Sequence, residues 1–304
     1  MTAALIIAAG KTASKERFDP AKLVGSITAI ERSVLLFREA GIRRIVVVDD
    51  ENETAKKLVP SMNITFLTGH AGGEMLHSVQ EGLKFLRGKC DEVLICTVDL
   101  PMFSVTTVQA LISGSGAVRI PCFEGRCGHP MLLSAEQFDS ILAYRGEGGL
   151  KGAIQAAGIR PTVIEVSDPG ILSDIQKDSS YEELLPGHDI AKFRFSAQLR
   201  IGRESVFYGP GIHQLLQLTE DFGSLSDACR HMGISYSKGR KILASLERQL
   251  GCSMIESRQG GKAGGSSRLT DAARDILRRY SAFCEEADIA LDAIFRKHFG
   301  DLDA

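Results

Sequence analysis

Short apolar runs separated by amphipathic stretches dominate the first two thirds of the chain. ALIIAA (4–9), RRIVVVDD (43–50), ITFLTG (64–69), EVLICTVD (92–99) and GAVRIPCF (116–123) have the length and β-branched content of buried strands. Between them, segments 28–40, 74–86 and 105–113 place apolar residues at helical spacing. Strands alternating with helices in this way predict an α/β fold with a doubly wound, mostly parallel sheet. Ligands of such sheets sit beyond the carboxyl ends of the strands.

The pattern changes near residue 189. Segment 192–210 holds two short strand-like pieces around Gly202, and three helices follow, each closed by a glycine: Gly223, Gly233 and Gly251. Ser224 caps the second helix, and Leu225, Ala228, Met232, Ile234, Ile242, Leu246 and Leu250 supply the packing between the last two. A short helix, a glycine turn and a basic helix predict a helix-turn-helix. CSMIESR then reads as a strand, RQGGKAGGSSRLT (258–270) as a basic glycine-rich tip, and its SRLT end as the return strand, which together make the wing of a winged helix. From Asp271, the residues Ala273, Ile276, Tyr280, Phe283, Ala287, Ala290 and Ile294 recur at three and four, the stripe of a long dimerisation helix. This predicts a homodimer.

With 304 residues, 44% of them hydrophobic, the chain can bury two cores, and the expected domains are 1–188 and 189–304. No apolar run reaches the ~20 residues that span a bilayer. The opening MTAALIIAAG has no basic leader, so a cytoplasmic protein without a membrane segment is expected. The seven cysteines include no CxxC pair and their odd number speaks against a disulfide framework; reduced, mostly buried thiols are expected. Cys122, Cys127 and His129 lie close together but lack the fourth ligand that a zinc site needs.

Charge is divided unevenly. Residues 1–189 carry 19 Lys and Arg against 24 Asp and Glu, residues 190–304 carry 17 against 14, and the window 230–279 carries 11 against 4. The basic window coincides with the third helix and the wing, the footprint of a polyanion-binding surface. Ser235, Tyr236, Ser237, Lys238, Arg240 and Lys241 on the helix, with Arg258, Lys262 and Arg268 on the wing, are the candidate contacts to double-stranded DNA.

Three features gather at the carboxyl edge of the expected sheet. The loop after the first strand, AAGKTASKERFDPAKL, offers a glycine backbone and the cations Arg17 and Lys22 to phosphates. Asp99 stands at the exit of the fourth strand, and Asp174 comes from a later segment; two such carboxylates can hold Mg²⁺ against phosphate oxygens. Ala8, Ala9, Gly10 and Gly69 complete the candidate nucleotide-binding residues.

These motifs resemble the molybdenum-cofactor nucleotidyltransferases, above all their cytidylyltransferase branch (MobA/MocA-type), of the nucleotide-diphospho-sugar transferase fold. The resemblance rests on Ala8-Ala9-Gly10, on Arg17 followed by Lys22, on Asp99-Leu100-Pro101, Gly128-His129-Pro130 and GEGGLK (146–151), and on Asp174-Ile175-Gln176. It implies that the Gly10 loop lines the nucleotide phosphates, that Arg17, Lys22 and Asp99 are catalytic, and that Asp99 and Asp174 hold Mg²⁺. The implied reaction transfers a nucleoside monophosphate from an NTP, CTP in that branch, to a molybdopterin-type cofactor. Three departures point instead to a regulator whose transferase-like domain senses a nucleotide or cofactor: a longer loop before Arg17, Asp19 in place of a glycine, and Gln176 in place of the second Asp of D-I-D. Residues 195–285 in turn resemble the DNA-binding part of the molybdate-responsive ModE regulators. Gly223-Ser224-Leu225, Gly233-Ile234-Ser235-Tyr236, the run 260–265 and Leu269-Thr270 carry that likeness.

Overall fold

The computed structural model of the chain describes residues 1–10, 17–59, 64–69, 75–177, 179–188, 193, 195–258 and 266–302. They form two compact units, Met1–Lys192 and Phe193–Ala304.

The first unit opens with β1 (Thr2–Ile7), a small antiparallel hairpin of β2 (Leu23–Val24) and β3 (Ile27–Thr28), and helix α1 (Ala29–Glu39). Thr28 and Glu31 make a reciprocal capping box at the start of α1. Next come β4 (Arg44–Asp49), α2 (Thr54–Leu58), β5 (Thr65–Thr68), α3 (Met75–Leu86), β6 (Glu92–Thr97) and α4 (Val105–Ser113). The unit continues with β7 (Val118–Phe123), β8 (Arg126–Cys127), β9 (Met131–Ser134), α5 (Phe138–Ala143), α6 (Gly149–Ala156) and β10 (Thr162–Glu165). The strands form one sheet in the order β10-β7-β9-β6-β1-β4-β5, with β8 paired to β7. The β1, β4, β5 and β6 pairings are parallel, as is β7 with β10, while β9 runs antiparallel to both β6 and β7. The sheet is therefore mixed and parallel-dominated. Leu5, Ile6, Ile7, Val46, Val47 and Val48 are fully buried, as expected of central strands covered on both faces.

The cysteine expectation is corrected at one place: Cys122 and Cys127 form a disulfide. They are directly opposed partners of β7 and β8, with Cα atoms 4.0 Å apart. The connecting turn has Glu124 and Gly125 at φ 49° and 74°. A spacing of five residues becomes a cross-strand pair only because the turn between them is tight. Cys96 and Cys229 are buried free thiols, whereas Cys252 is exposed.

In the second unit, β11 (Ile201–Gly202) and β12 (Val206–Tyr208) pair antiparallel. Three helices follow: α7 (Pro210–Phe222), α8 (Leu225–His231) and α9 (Tyr236–Leu250). Ser224 and Ser235 cap α8 and α9 with their hydroxyls, and Gly223 and Gly251 close α7 and α9 in the left-handed region. A Cβ on Gly239 of α9 would collide with the sulfur of Cys229 on α8, so this glycine permits their close crossing. The antiparallel pair β13 (Ile255–Arg258) and β14 (Ser266–Leu269) leads to α10 (Asp271–Phe299).

The apolar stripe of α10 divides. Ala273 and Tyr280 are buried in the unit's own core and Ile276 packs against it, while Phe283, Ala290 and Ile294 are exposed. Heptad-like spacing names a face of a helix without saying what covers each part of it. No helix among the described residues is long and apolar enough to cross a membrane.

Candidate functional site

The chain order of the sheet reverses at β1, which lies between β4 and β6. Ile7 pairs with Thr97, and the Val98 amide donates to the Ile7 carbonyl at 3.0 Å, so Ala8–Gly10 and Val98–Asp99 leave the sheet side by side. This is a topological switch point, where a crevice opens beyond the strand ends. Ala9 is buried and Gly10 takes φ 110°, a backbone state that glycine adopts freely. Gly69, after β5, supports the same turn: a Cβ there would lie 2.7 Å from Ala9 Cβ and 2.9 Å from Val48 Cγ1.

Asp99 is only 6% exposed, and its Oδ1 has no hydrogen-bond partner. Burial pushes its pKa up to about 6, with the neighbouring Asp174 charge adding to the rise and the Thr97 hydroxyl opposing it. Asp174 is better satisfied: its Oδ1 accepts from the Gln176 amide at 3.0 Å and its Oδ2 pairs with Lys177 Nζ at 2.7 Å. Two carboxylates thus face each other's field at the sheet edge, one with an unmatched acceptor oxygen.

Residues 168–177 act as a strap that fixes this geometry. Asp168 accepts from the Ser104 amide at 2.7 Å and the Thr107 hydroxyl at 2.6 Å. A Cβ on Gly170 would strike the Met102 carbonyl, and one on Gly128 would strike that of Ile171. The Ile175 amide donates to the Asp99 carbonyl at 2.9 Å, the Ile175 carbonyl accepts from Lys22 Nζ, and Gln176 Nε2 donates to the Arg17 carbonyl at 2.9 Å. Asp99, Asp174, Arg17 and Lys22, far apart in sequence, are therefore joined through one segment.

Asp19 directs its Oδ1 to the Ala21 amide at 3.0 Å, so its charge serves the turn between Arg17 and Lys22. Lys22 Nζ also lies 5.8 Å from the centre of the Tyr181 ring. His129, within Gly128-His129-Pro130, is lowered in pKa by burial and has Nδ1 3.3 Å from the Ile95 carbonyl. Sequence reasoning did not single out Thr97, Lys177 or Tyr181, and it met Gln176 only as a departure from a motif. The run DIQKD held the available signal, since an amide and a cation follow the acid there. Among the described residues no group of three or more His, Cys, Asp or Glu is placed to hold a metal ion.

On the second unit, Tyr236, Ser237, Lys238, Arg240 and Lys241 line the exposed side of α9, and Ser235 is committed to its cap through the Lys238 amide at 3.2 Å. Arg268 is exposed on β14, and Arg258 ends β13, its backbone paired with Ser266. Lys262 and the glycine run 260–265 lie outside the described residues.

The mixed, parallel-dominated α/β sheet matches the nucleotidyltransferase fold. The MobA-like NTP transferase domain matches residues 4–161, about half of the sequence, and the chain belongs to that family. Asp174 and the strap lie beyond the matched residues. No curated protein matches the chain. Among solved structures, a nucleotidyl transferase from Methanothermobacter thermautotroptrophicus is 18% identical, with TM-score 0.49, 62% of this chain and 97% of that one covered. The 4-diphosphocytidyl-2C-methyl-D-erythritol synthase from Anaerococcus prevotii is 14% identical, with TM-score 0.47 and coverages of 60% and 94%. A manganese complex of a Mycobacterium tuberculosis H37Rv protein is 13% identical, with TM-score 0.47 and coverages of 54% and 88%.

Proposed function

We propose that the first unit moves a nucleoside monophosphate from an NTP, CTP by resemblance, onto a phosphate of a molybdopterin-type cofactor. The observation that carries this reading is the orphaned, buried Oδ1 of Asp99 beside Asp174. An anionic oxygen with no donor is costly to bury, and a hard divalent cation relieves that cost. Mg²⁺ commonly takes one or two protein carboxylates and completes its shell with water and phosphate oxygens, so this pair suffices without a third acidic ligand.

Asp99 and Asp174 would hold Mg²⁺, which when bound neutralises phosphate charge. Arg17 and Lys22 neutralise the rest, and the Ala8–Gly10 turn lets the backbone approach the triphosphate. An acceptor phosphate oxygen attacks the α-phosphorus; the new P–O bond forms as the bond to the bridging oxygen breaks, and its electron pair leaves with pyrophosphate. The chain's contribution is positioning and charge placement.

The second unit is read as a ModE-like winged helix that binds double-stranded DNA through α9 and the β13–β14 hairpin and pairs through the exposed half of α10. The basic, outward side of α9 supports this. Gln176, standing where an acid would add a further metal ligand, favours a second reading in which the first unit senses a nucleotide or the cofactor and the second regulates genes.

Calorimetry with CTP, GTP and ATP, with and without Mg²⁺, tests the common premise. Magnesium-dependent binding of one of them is expected. Absence of binding to all three removes the transferase reading and the nucleotide-sensor reading.

A further inference from the structure

Gln176 occupies the position of an acidic residue in the resembling family, yet its contacts give it another task. Its Nε2 donates to the Arg17 carbonyl at 2.9 Å, across 159 positions of sequence. A carbonyl oxygen only accepts, so the amide has one workable orientation, which leaves Oε1 buried and without a partner. Asp or Glu in this place would set an anionic oxygen against the Arg17 carbonyl. The neighbouring Ile175 carbonyl receives Lys22 Nζ. Two consecutive strap residues therefore grip both ends of the Arg17–Lys22 turn, and Ile175 also ties that grip to Asp99 through its amide.

Arg17 itself is exposed, and the bond from the Phe18 amide to the Gly10 carbonyl is long at 3.4 Å. A side chain so placed depends on its backbone for direction. The neutral amide also keeps the site at two carboxylates where a third would repel a polyanionic triphosphate.

We propose that Gln176 is a positioning residue: it holds the Arg17 backbone so that the guanidinium is presented to the triphosphate. The inference rests on the nucleotide-binding reading above. Its test is a double-mutant cycle on the full chain, with NTP affinity in Mg²⁺ read by calorimetry. Gln176→Met keeps the shape and removes the donor, and it should weaken NTP binding about ten-fold, the loss of one hydrogen bond that orders a charged group. Gln176→Glu should weaken it further. In an Arg17→Ala background the same Gln176→Met change should cost little more, because residues acting through one another are not additive. Should Gln176→Met fail to fold, the Gln176→Ala cycle carries the same test, since it too removes the donor and adds no charge. Unchanged affinity in the single variant, or full additivity in the double, overturns this inference alone. A wild-type chain that binds no NTP removes the nucleotide reading and this inference with it.

Discussion

The two units treat charge in opposite ways. At the switch point of the first, Asp99 is drawn almost wholly out of solvent, and the backbone of the 168–177 strap holds the polar groups around it. Along α9 of the second, Lys238, Arg240 and Lys241 stand in water, while the buried face holds Gly239, Leu243 and Leu246. Interior charge is useful where a few atoms of a small ligand must be met at fixed distances, since low dielectric strengthens each contact. Outward charge suits an extended polyanion, whose counterions are released whatever the sequence.

Breaking the first arrangement should have the largest effect. Asp99→Asn keeps the shape of the side chain and removes its charge, so pyrophosphate release with NTP and pterin acceptor should fall by about a thousand-fold or more, the scale of losing one preorganised charge-stabilising group. Wild-type protein that binds NTP yet releases no pyrophosphate would leave the sensor reading in its place.

A smaller effect is expected at a half-buried histidine beside the core of the second unit. His213 is lowered to about 4 by burial, with Tyr208 Oη 3.3 Å from Nδ1, Ser281 Oγ 3.5 Å from Nε2, and the Tyr280 ring 4.9 Å away. A histidine held neutral in the fold binds its proton more readily when unfolded. Stability is therefore full above the unfolded value near 6.5 and is lost as pH falls toward 4, by about 3 kcal/mol in all. Thermal melts of the second unit's transition between pH 7.5 and 4.5 check this, and His213→Gln should flatten the dependence.

The mildest changes are expected on the outward charges. Arg268→Ala should weaken binding to specific and random duplexes alike and lower the salt slope by roughly one unit. Arg240→Ala or Lys241→Ala should alter sequence preference by about 1–3 kcal/mol per base pair read, if these side chains reach base edges. A dimer through α10 further requires half-sites about 34–36 Å apart, or a multiple of that. Footprinting on the upstream DNA of its own gene measures each of these; a single asymmetric half-site would exclude the dimer, and no protection at low salt would exclude DNA binding.

The strands legible from sequence were those whose apolar runs are long enough to be buried on both faces, β1, β4 and β6 above all. β9 and β10 escaped notice for opposite reasons. Met131–Ser134 is only four residues long and follows directly on the β7–β8 hairpin, and Thr162–Glu165 is an edge strand with exposed Val163. The helix boundaries of the second unit were plain where Ser224, Gly223 and Gly251 carry the caps, whereas the cap at Ser235 was missed because its hydroxyl read as a DNA contact. Asp99 and Asp174 could be named from their motifs. The bonds from Gln176 to Arg17 and from Ile175 to Asp99 could not, because no local pattern encodes contacts made across so many residues.

The strap also separates two meanings of the word domain. The family match ends at residue 161, whereas the compact unit runs to Lys192. A protein cut at residue 161 would lose β10 along with the strap residues that contact Met102, the Asp99 carbonyl and both ends of the Arg17–Lys22 turn. The compact unit thus extends about thirty residues past the family match, and those residues add an edge strand to the sheet, Asp174, and both grips on the Arg17–Lys22 turn.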